Sequence, residues 1–262
     1  MEEGGSDKKV DVDFEFHPPI DQDLDGIAAL LRQTLLNFVD CNSLAKRLID
    51  LRDLTQVIAL GTPTQDGDND DEEPDNDIYG VSSVIDLPTN SGERSQPQKE
   101  LIKLLQDKCP KFRQISNSSD QTKLGLIINE RYINLPPQLA LPALKGLTSF
   151  LEESQFSHLV LVGKILLKAR SKRTELPSKK TKSGESSVQN VEPLVFINPE
   201  EEIICENSIE YTDFDVSSHC DENAAWSPSS DIKYIPHRRI MIIDYNKWST
   251  ILKELDKELQ RS

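Results

Sequence analysis

Acidic residues dominate the chemistry this chain could offer. Asp66, Asp68, Asp70, Asp71, Glu72, Glu73, Asp75 and Asp77 fall within twelve positions that hold no basic residue. Clustered carboxylates can take a hard cation through their oxygens, or attract a basic protein through their field. The run lacks the sixth-position glycine and the terminal glutamate of a calcium loop, so a metal site is not expected. It reads either as a solvated face or as a docking patch for a basic partner. An opposite pole follows, because Lys164 to Lys182 carries eight bases against one acid. Within it Lys172, Arg173, Lys179, Lys180 and Lys182 stand among serines and threonines, a pattern that suits a nuclear-import signal, an RNA contact or a solvated linker.

Motifs for catalysis and cofactors are missing. Neither GxGxxG nor GxxxxGK[ST] occurs among the eleven glycines, and no GxSxG elbow is present. His17, His158, His219 and His237 are isolated, without the HxxxH or HExxH spacing that puts two ligands on one helical face. Cys41, Cys109, Cys205 and Cys220 lie far apart with no CxxC pair, so reduced structural thiols are expected rather than a zinc ribbon or a disulfide framework. These absences predict no catalytic residue, no cofactor and no metal. Trp226, in a polar stretch from Ser217 to Ser230, is a candidate aromatic anchor for a partner, or a pin that holds its own segment to the core.

The net charge of −15, from 45 acids and 30 bases, disfavours attraction to nucleic-acid phosphates and favours a basic protein partner. An RNA-binding module built on the lysine-rich segment has the acidic remainder of the chain against it, and few aromatics near the lysines. The longest uncharged stretch, Tyr132 to Leu144, is thirteen residues broken by three prolines, shorter than the roughly 18 apolar residues a membrane helix needs. No apolar run follows Glu2, Glu3, Asp7, Lys8 and Lys9, so a secretory signal is not expected. Residues 1–9 read as a short flexible N-terminus, residues 10–262 as one α/β domain, and the protein as intracellular.

The elements that must position these groups follow from periodicity. Val10 to His17 alternates as a half-buried strand stopped by Pro18-Pro19. Asp21 or Asp23 can cap a helix whose stripe is Leu24, Ile27, Leu31, Leu35 and Phe38, and Asn42 or Ser43 a second through Leu44, Leu48 and Leu51. Gln56 to Leu60 and Ile78 to Leu87 read as an antiparallel pair joined by an acidic loop over 66–77, with a helix from Pro97 to Lys108 beyond it. Leu124 to Asn134 is apolar almost throughout, which places it mid-sheet. Pro136-Pro137 opens a helical stretch to Glu153, with Pro142 starting or kinking it. His158 to Lys168 reads as a strand, residues 170–192 as a disordered basic insertion joining two strands, and Leu194 to Ile197 and Ile203 to Phe214 as strand-like. Arg239 to Asp244 carries an apolar strand run, and Trp248, Ile251, Leu252, Leu255 and Leu259 make the stripe of a last helix.

With these elements in place, the run Gly125-Leu-Ile-Ile-Asn-Glu-Arg-Tyr-Ile-Asn-Leu-Pro-Pro-Gln-Leu-Ala-Leu-Pro142 resembles the signature of the BCCIP family. Further likeness lies in Asp77-Ile-Tyr-Gly80 closing the acidic loop, the lysines near Lys180, Pro199-Glu-Glu-Glu-Ile203, and Trp226-Ser227 followed by Pro236 and the strand after Arg238. The resemblance implies a GNAT-like, acetyltransferase-like mixed sheet flanked by helices and residence in the nucleus with shuttling to the cytoplasm. It further implies work as an adaptor: chaperoning a basic large-subunit ribosomal protein, supporting ribosome biogenesis and nuclear export, and binding a recombination mediator and a cyclin-dependent-kinase inhibitor. An acetyl-CoA-dependent acetyltransferase is the alternative. Enzymes of that class cradle pyrophosphate with backbone N–H groups after a central strand. Here Asn134-Leu135-Pro136-Pro137 takes that place, and proline has no N–H to give. An acetyltransferase-like scaffold without a working cofactor site is expected.

Overall fold

The computed structural model describes residues 13–61, 77–88, 94–118, 122–168, 194–220 and 234–261. Near its start, β1 (Phe14–His17) stops at the two prolines, and a short 3-10 turn, Asp21–Asp23, leads into α1 (Leu24–Leu35). Asp23 does not cap α1 through its side chain; its carboxylate accepts from the backbone N–H of Ile20 at 2.8 Å instead. Leu36 has a positive φ of 53°, which ends α1 before Phe38. The next helix, α2 (Cys41–Asp50), is capped by Asp40, two or three residues ahead of the expected Asn42 or Ser43, because the Asp40 carboxylate reaches both Asn42 N and Ser43 N.

An antiparallel pair, β2 (Thr55–Leu60) and β3 (Ile78–Asp86), is followed by α3 (Gln96–Lys108). A helix not anticipated, α4 (Pro110–Ser116), comes next, with proline at its first position. The central strand β4 (Leu124–Arg131) is buried along its whole length. The expected helix to Glu153 is two short ones, α5 (Ala140–Gly146) and α6 (Thr148–Ser154), with Leu147 at the junction. Then come β5 (His158–Lys168) and β6 (Leu194–Phe196). Residues 203–206, read as strand from Ile203 and Ile204, belong instead to α7 (Glu200–Glu206). Pro199 followed by three glutamates is a helix start, and three acids in a first turn complement the helix dipole. The strand begins later, as β7 (Glu210–Asp215), followed by β8 (Tyr234–Asp244) and α8 (Trp248–Leu259).

All strands among the described residues join one sheet in the order β1-β2-β3-β4-β5-β8-β7, with β6 also on β5. Every pairing is antiparallel except β4 with β5. Alternation divides the core. Leu126, Ile128, Val160, Val162, Ile240 and Ile242 face α1, α2 and α3, whereas Ile127, Leu159, Leu161, Met241 and Ile243 face α5 to α8. Both faces are therefore covered, which is why β4, β5 and β8 read as continuous apolar runs.

Candidate functional site

The parallel pair is where the sheet opens. Leu124–Ile127 pair with His158–Leu161, and then β4 and β5 part. Beyond that point β4 continues along β3 to Arg131, and β5 continues along β8 to Lys168. Parting strands leave backbone donors and acceptors without partners, and such a wedge is a natural place for a ligand. In this chain its own residues occupy the wedge. β6 takes the edge of β5 that β4 vacates, pairing Phe196, Val195 and Leu194 with Ile165, Leu166 and Leu167. Ile197 N then donates to Lys164 O at 2.9 Å, and the chain turns into α7 at the mouth of the wedge.

Charged side chains close what the backbone leaves. On the α1 face, Lys164 Nζ of β5 donates to Glu130 Oε2 of β4 at 2.8 Å and to Gln33 Oε1 at 3.2 Å. On the opposite face Arg131 forks onto Glu200, with Nη2 to Oε2 at 2.7 Å, while Asn129 Nδ2 donates to Glu200 Oε1 at 2.8 Å. Burial alone would lower the Arg131 pKa, but the hydrogen bond and charge of Glu200 outweigh it and hold it above its ordinary value. Glu201 lies against Gly163, where a Cβ would collide with its carboxyl group, and accepts from Asn198 Nδ2 at 2.8 Å. Its Oε2 is buried without a hydrogen-bond partner. Burial first, and then the neighbouring Glu200 charge, push its pKa well above the usual glutamate range.

Two arginines of β8 extend the network. Arg238 donates to the carbonyls of Gln33 and Thr34 and so satisfies the last turn of α1, whose final carbonyls have no partner within the helix. Arg239 forks onto Asp213 of β7 at 2.7 Å for both bonds and lies 3.9 Å from the Tyr211 ring centroid. The charged residues buried among the described residues are Asp23, Glu130, Glu200 and Glu201 against Arg131, Lys164, Arg238 and Arg239. Their formal charges cancel, so the whole excess of −15 lies on the rest of the chain.

In the segment expected to lack a phosphate cradle, the Leu135 N–H is already engaged. Leu135 N donates to Tyr132 O at 3.1 Å, and Pro136 and Pro137 follow directly into a 3-10 turn. No group of three or more His, Cys, Asp or Glu able to hold a metal occurs among the described residues, and none of their helices is long and apolar enough to cross a membrane.

Of the residues expected at a site, Asp77 is exposed just before β3. Asp66, Asp68, Asp70, Asp71, Glu72, Glu73, Asp75 and Trp226 lie outside the described residues, as do Lys172, Arg173, Lys179, Lys180 and Lys182 and the whole of 1–9 and 170–192. Lys164, expected with the basic segment, is instead buried and paired with Glu130, because it belongs to β5. Sequence reasoning passed over Asn129, Glu130, Arg131 and Glu200. The available signal was polarity in the wrong place, since three consecutive polar residues interrupt an otherwise apolar central strand.

Fold and wedge together define a mixed α/β scaffold, with helices on both faces of the sheet, whose central opening is filled by its own chain. Comparison with known proteins identifies its kin. The family model BCCIP matches residues 9–204, and the chain belongs to the BCCIP family. It is 30% identical to the BRCA2 and CDKN1A-interacting protein of Bos taurus, over 96% of this chain and 84% of that one. To the Protein BCCIP homolog of Drosophila melanogaster it is 26% identical, over 95% and 85%. The crystal structure of BCP1 from Saccharomyces cerevisiae superposes with a TM-score of 0.60 at 17% identity, covering 97% of this chain and 92% of that one, and so shares the fold.

Proposed function

We propose that this chain is a nuclear protein-binding adaptor and chaperone that holds a basic large-subunit ribosomal protein, in support of ribosome biogenesis and nuclear export. A recombination mediator and a cyclin-dependent-kinase inhibitor are further partners in this reading; the bovine relative is named as interacting with BRCA2 and CDKN1A. The observation that carries this reading is the separation of charge. By formal count the buried acids and bases among the described residues are four each, so the formal excess of −15 is carried by the other residues, and a field of that sign attracts and solubilises a cationic protein. The domain over 10–262 works as one unit in this reading. The acids of 66–77 capture the partner, Trp226 helps to retain it, and Lys172, Arg173, Lys179, Lys180 and Lys182 bring the complex into the nucleus.

Light scattering tests the chaperone reading. A purified basic ribosomal protein diluted to physiological salt should stay clear with one equivalent of this chain and cloud without it; equal clouding in both would refute the proposal. Nuclear entry is tested with a fluorescent fusion in which the five basic residues are alanine. Slower accumulation is expected, and an unchanged rate would remove them from that role.

A further inference from the structure

Immediately beyond the wedge the surface changes character. Tyr132, the first residue after β4, is 37% exposed, and Ile133 is 73% exposed. Tyr132 N donates to Tyr79 O at 3.0 Å, which fixes the two residues side by side. Their rings meet edge to face at 6.3 Å, and Tyr79 meets Phe14 of β1 in the same manner at 6.4 Å. A row of three aromatic rings therefore crosses this end of the sheet. The start of α1 lies close to it because Gly26 has no side chain; a Cβ there would stand 2.6 Å from Ile78 Cγ1. Between helix and aromatic row is a cavity of about 330 Å³, bounded by Gln22, Asp23 and Asp25 on one side and by Asp77, Tyr79 and Tyr132 on the other.

The cavity is negative by a margin that can be argued. The N-terminus of α1 contributes roughly half a positive charge, and the buried Asp23, hydrogen bonded to Ile20 N, answers it. Asp25 and Asp77 remain, both exposed, and neither forms an ion pair among the described residues. Two carboxylates beside tyrosine rings match a guanidinium group, which is planar, stacks on an aromatic face and forks onto carboxylate oxygens. Exposed Ile133 offers an apolar footing for the residues that flank it. Asp77 is also the last of the eight acids in sequence, so the most negative segment of the chain ends on the rim.

We propose that this cavity seats an arginine side chain of a basic protein partner, a role that rests on the reading that the partner is basic. The test is a titration of the full chain at low salt, following the tyrosine ring resonances by NMR. The probes are acetyl-Gly-Arg-Gly-amide and the same peptide with norleucine in place of arginine. The Tyr79 and Tyr132 rings should shift saturably with the arginine peptide and stay fixed with the norleucine peptide. Asp25→Asn with Asp77→Asn should weaken binding at least tenfold. Asp53→Asn with Glu153→Gln removes the same charge at two residues that do not line the cavity, one in the turn before β2 and one on α6, and should change it less than twofold. Tyr132→Leu, which keeps apolar bulk and removes the ring, should weaken it several-fold while thermal unfolding shows the fold intact. Motionless rings, equal response to norleucine, or equal weakening by the two charge pairs would each overturn the proposal. The outcomes separate it from the chaperone reading: retention of the basic protein by the Asp25/Asp77 variant removes the cavity alone, and a peptide that titrates into a chain unable to hold that protein removes only the chaperone.

Discussion

Arg131 and Tyr132 are neighbours in sequence, yet they open onto regions with opposite treatments of charge. On the Arg131 side, inside the wedge, Glu200 forks to Arg131 and Glu130 meets Lys164. On the Tyr132 side Asp25 and Asp77 face a cavity with no ion pair among the described residues. The difference follows from water. A charge removed from solvent must find its opposite within the protein or be neutralised, whereas an exposed charge keeps its hydration and can stay available to another molecule. The inner charges thus close the scaffold, and the outer ones are free to recognise.

The sharpest way to break this contrast is to remove one inner partner. Glu200→Ala leaves the Arg131 guanidinium buried and alone, and should cost about 3–5 kcal/mol of stability, the range for a severed buried pair. Glu258→Ala at the surface pair with Arg261, where both side chains are more than half exposed, should leave stability almost unchanged. Urea midpoints of the two variants decide it, and equal losses would dissolve the distinction between inside and outside.

The outer acids are tested by rate. Neutralising Asp66, Asp68, Asp70, Asp71, Glu72, Glu73, Asp75 and Asp77 to asparagine or glutamine should slow association with a basic ribosomal protein roughly tenfold at low salt and flatten its salt dependence. Trp226→Ala should act mainly on dissociation. Stopped-flow traces at several salt concentrations separate the two, and an unchanged association rate would show that the acidic run is only a solvated face.

A smaller effect comes from Glu201. Its carboxyl group in the folded chain titrates well above the value of 4.5 that it has when free. Above 4.5 the folded chain therefore keeps a proton that the unfolded chain has released, and stability falls as pH rises toward the folded value. The contribution is full below 4.5 and lost as the folded group ionises. Glu201→Gln holds the shape without the titration. Its urea midpoint should match the native chain near pH 4 and exceed it as pH rises through the folded group's range, while parallel profiles would place the proton elsewhere.

The sheet was largely legible because burial on both faces writes itself as uninterrupted apolar sequence in β4, β5 and β8, and α8 because its stripe recurs at helical spacing. Two helices were not. In α7, the strand propensity of Ile203 and Ile204 masks the stronger signal, Pro199 ahead of three glutamates. In α4, seven residues are too few for a periodic pattern to emerge. The wedge could not be read at all, since Glu200 lies 69 residues from Arg131 and no local pattern states which two strands run parallel or where they part. Lys164 illustrates the same limit: its position beside a basic segment suggested a surface charge, and only the register of β5 turns it inward onto Glu130.

The proposed protein-binding role predicts that the filled wedge admits no acetyl-CoA. Isothermal titration of the folded chain with acetyl-CoA tests it most directly. No saturable heat is predicted up to millimolar cofactor, because β6, Asn198 and the Glu200 pair occupy the wedge and Pro136 and Pro137 offer no N–H to phosphate. A dissociation constant in the micromolar range would contradict the account.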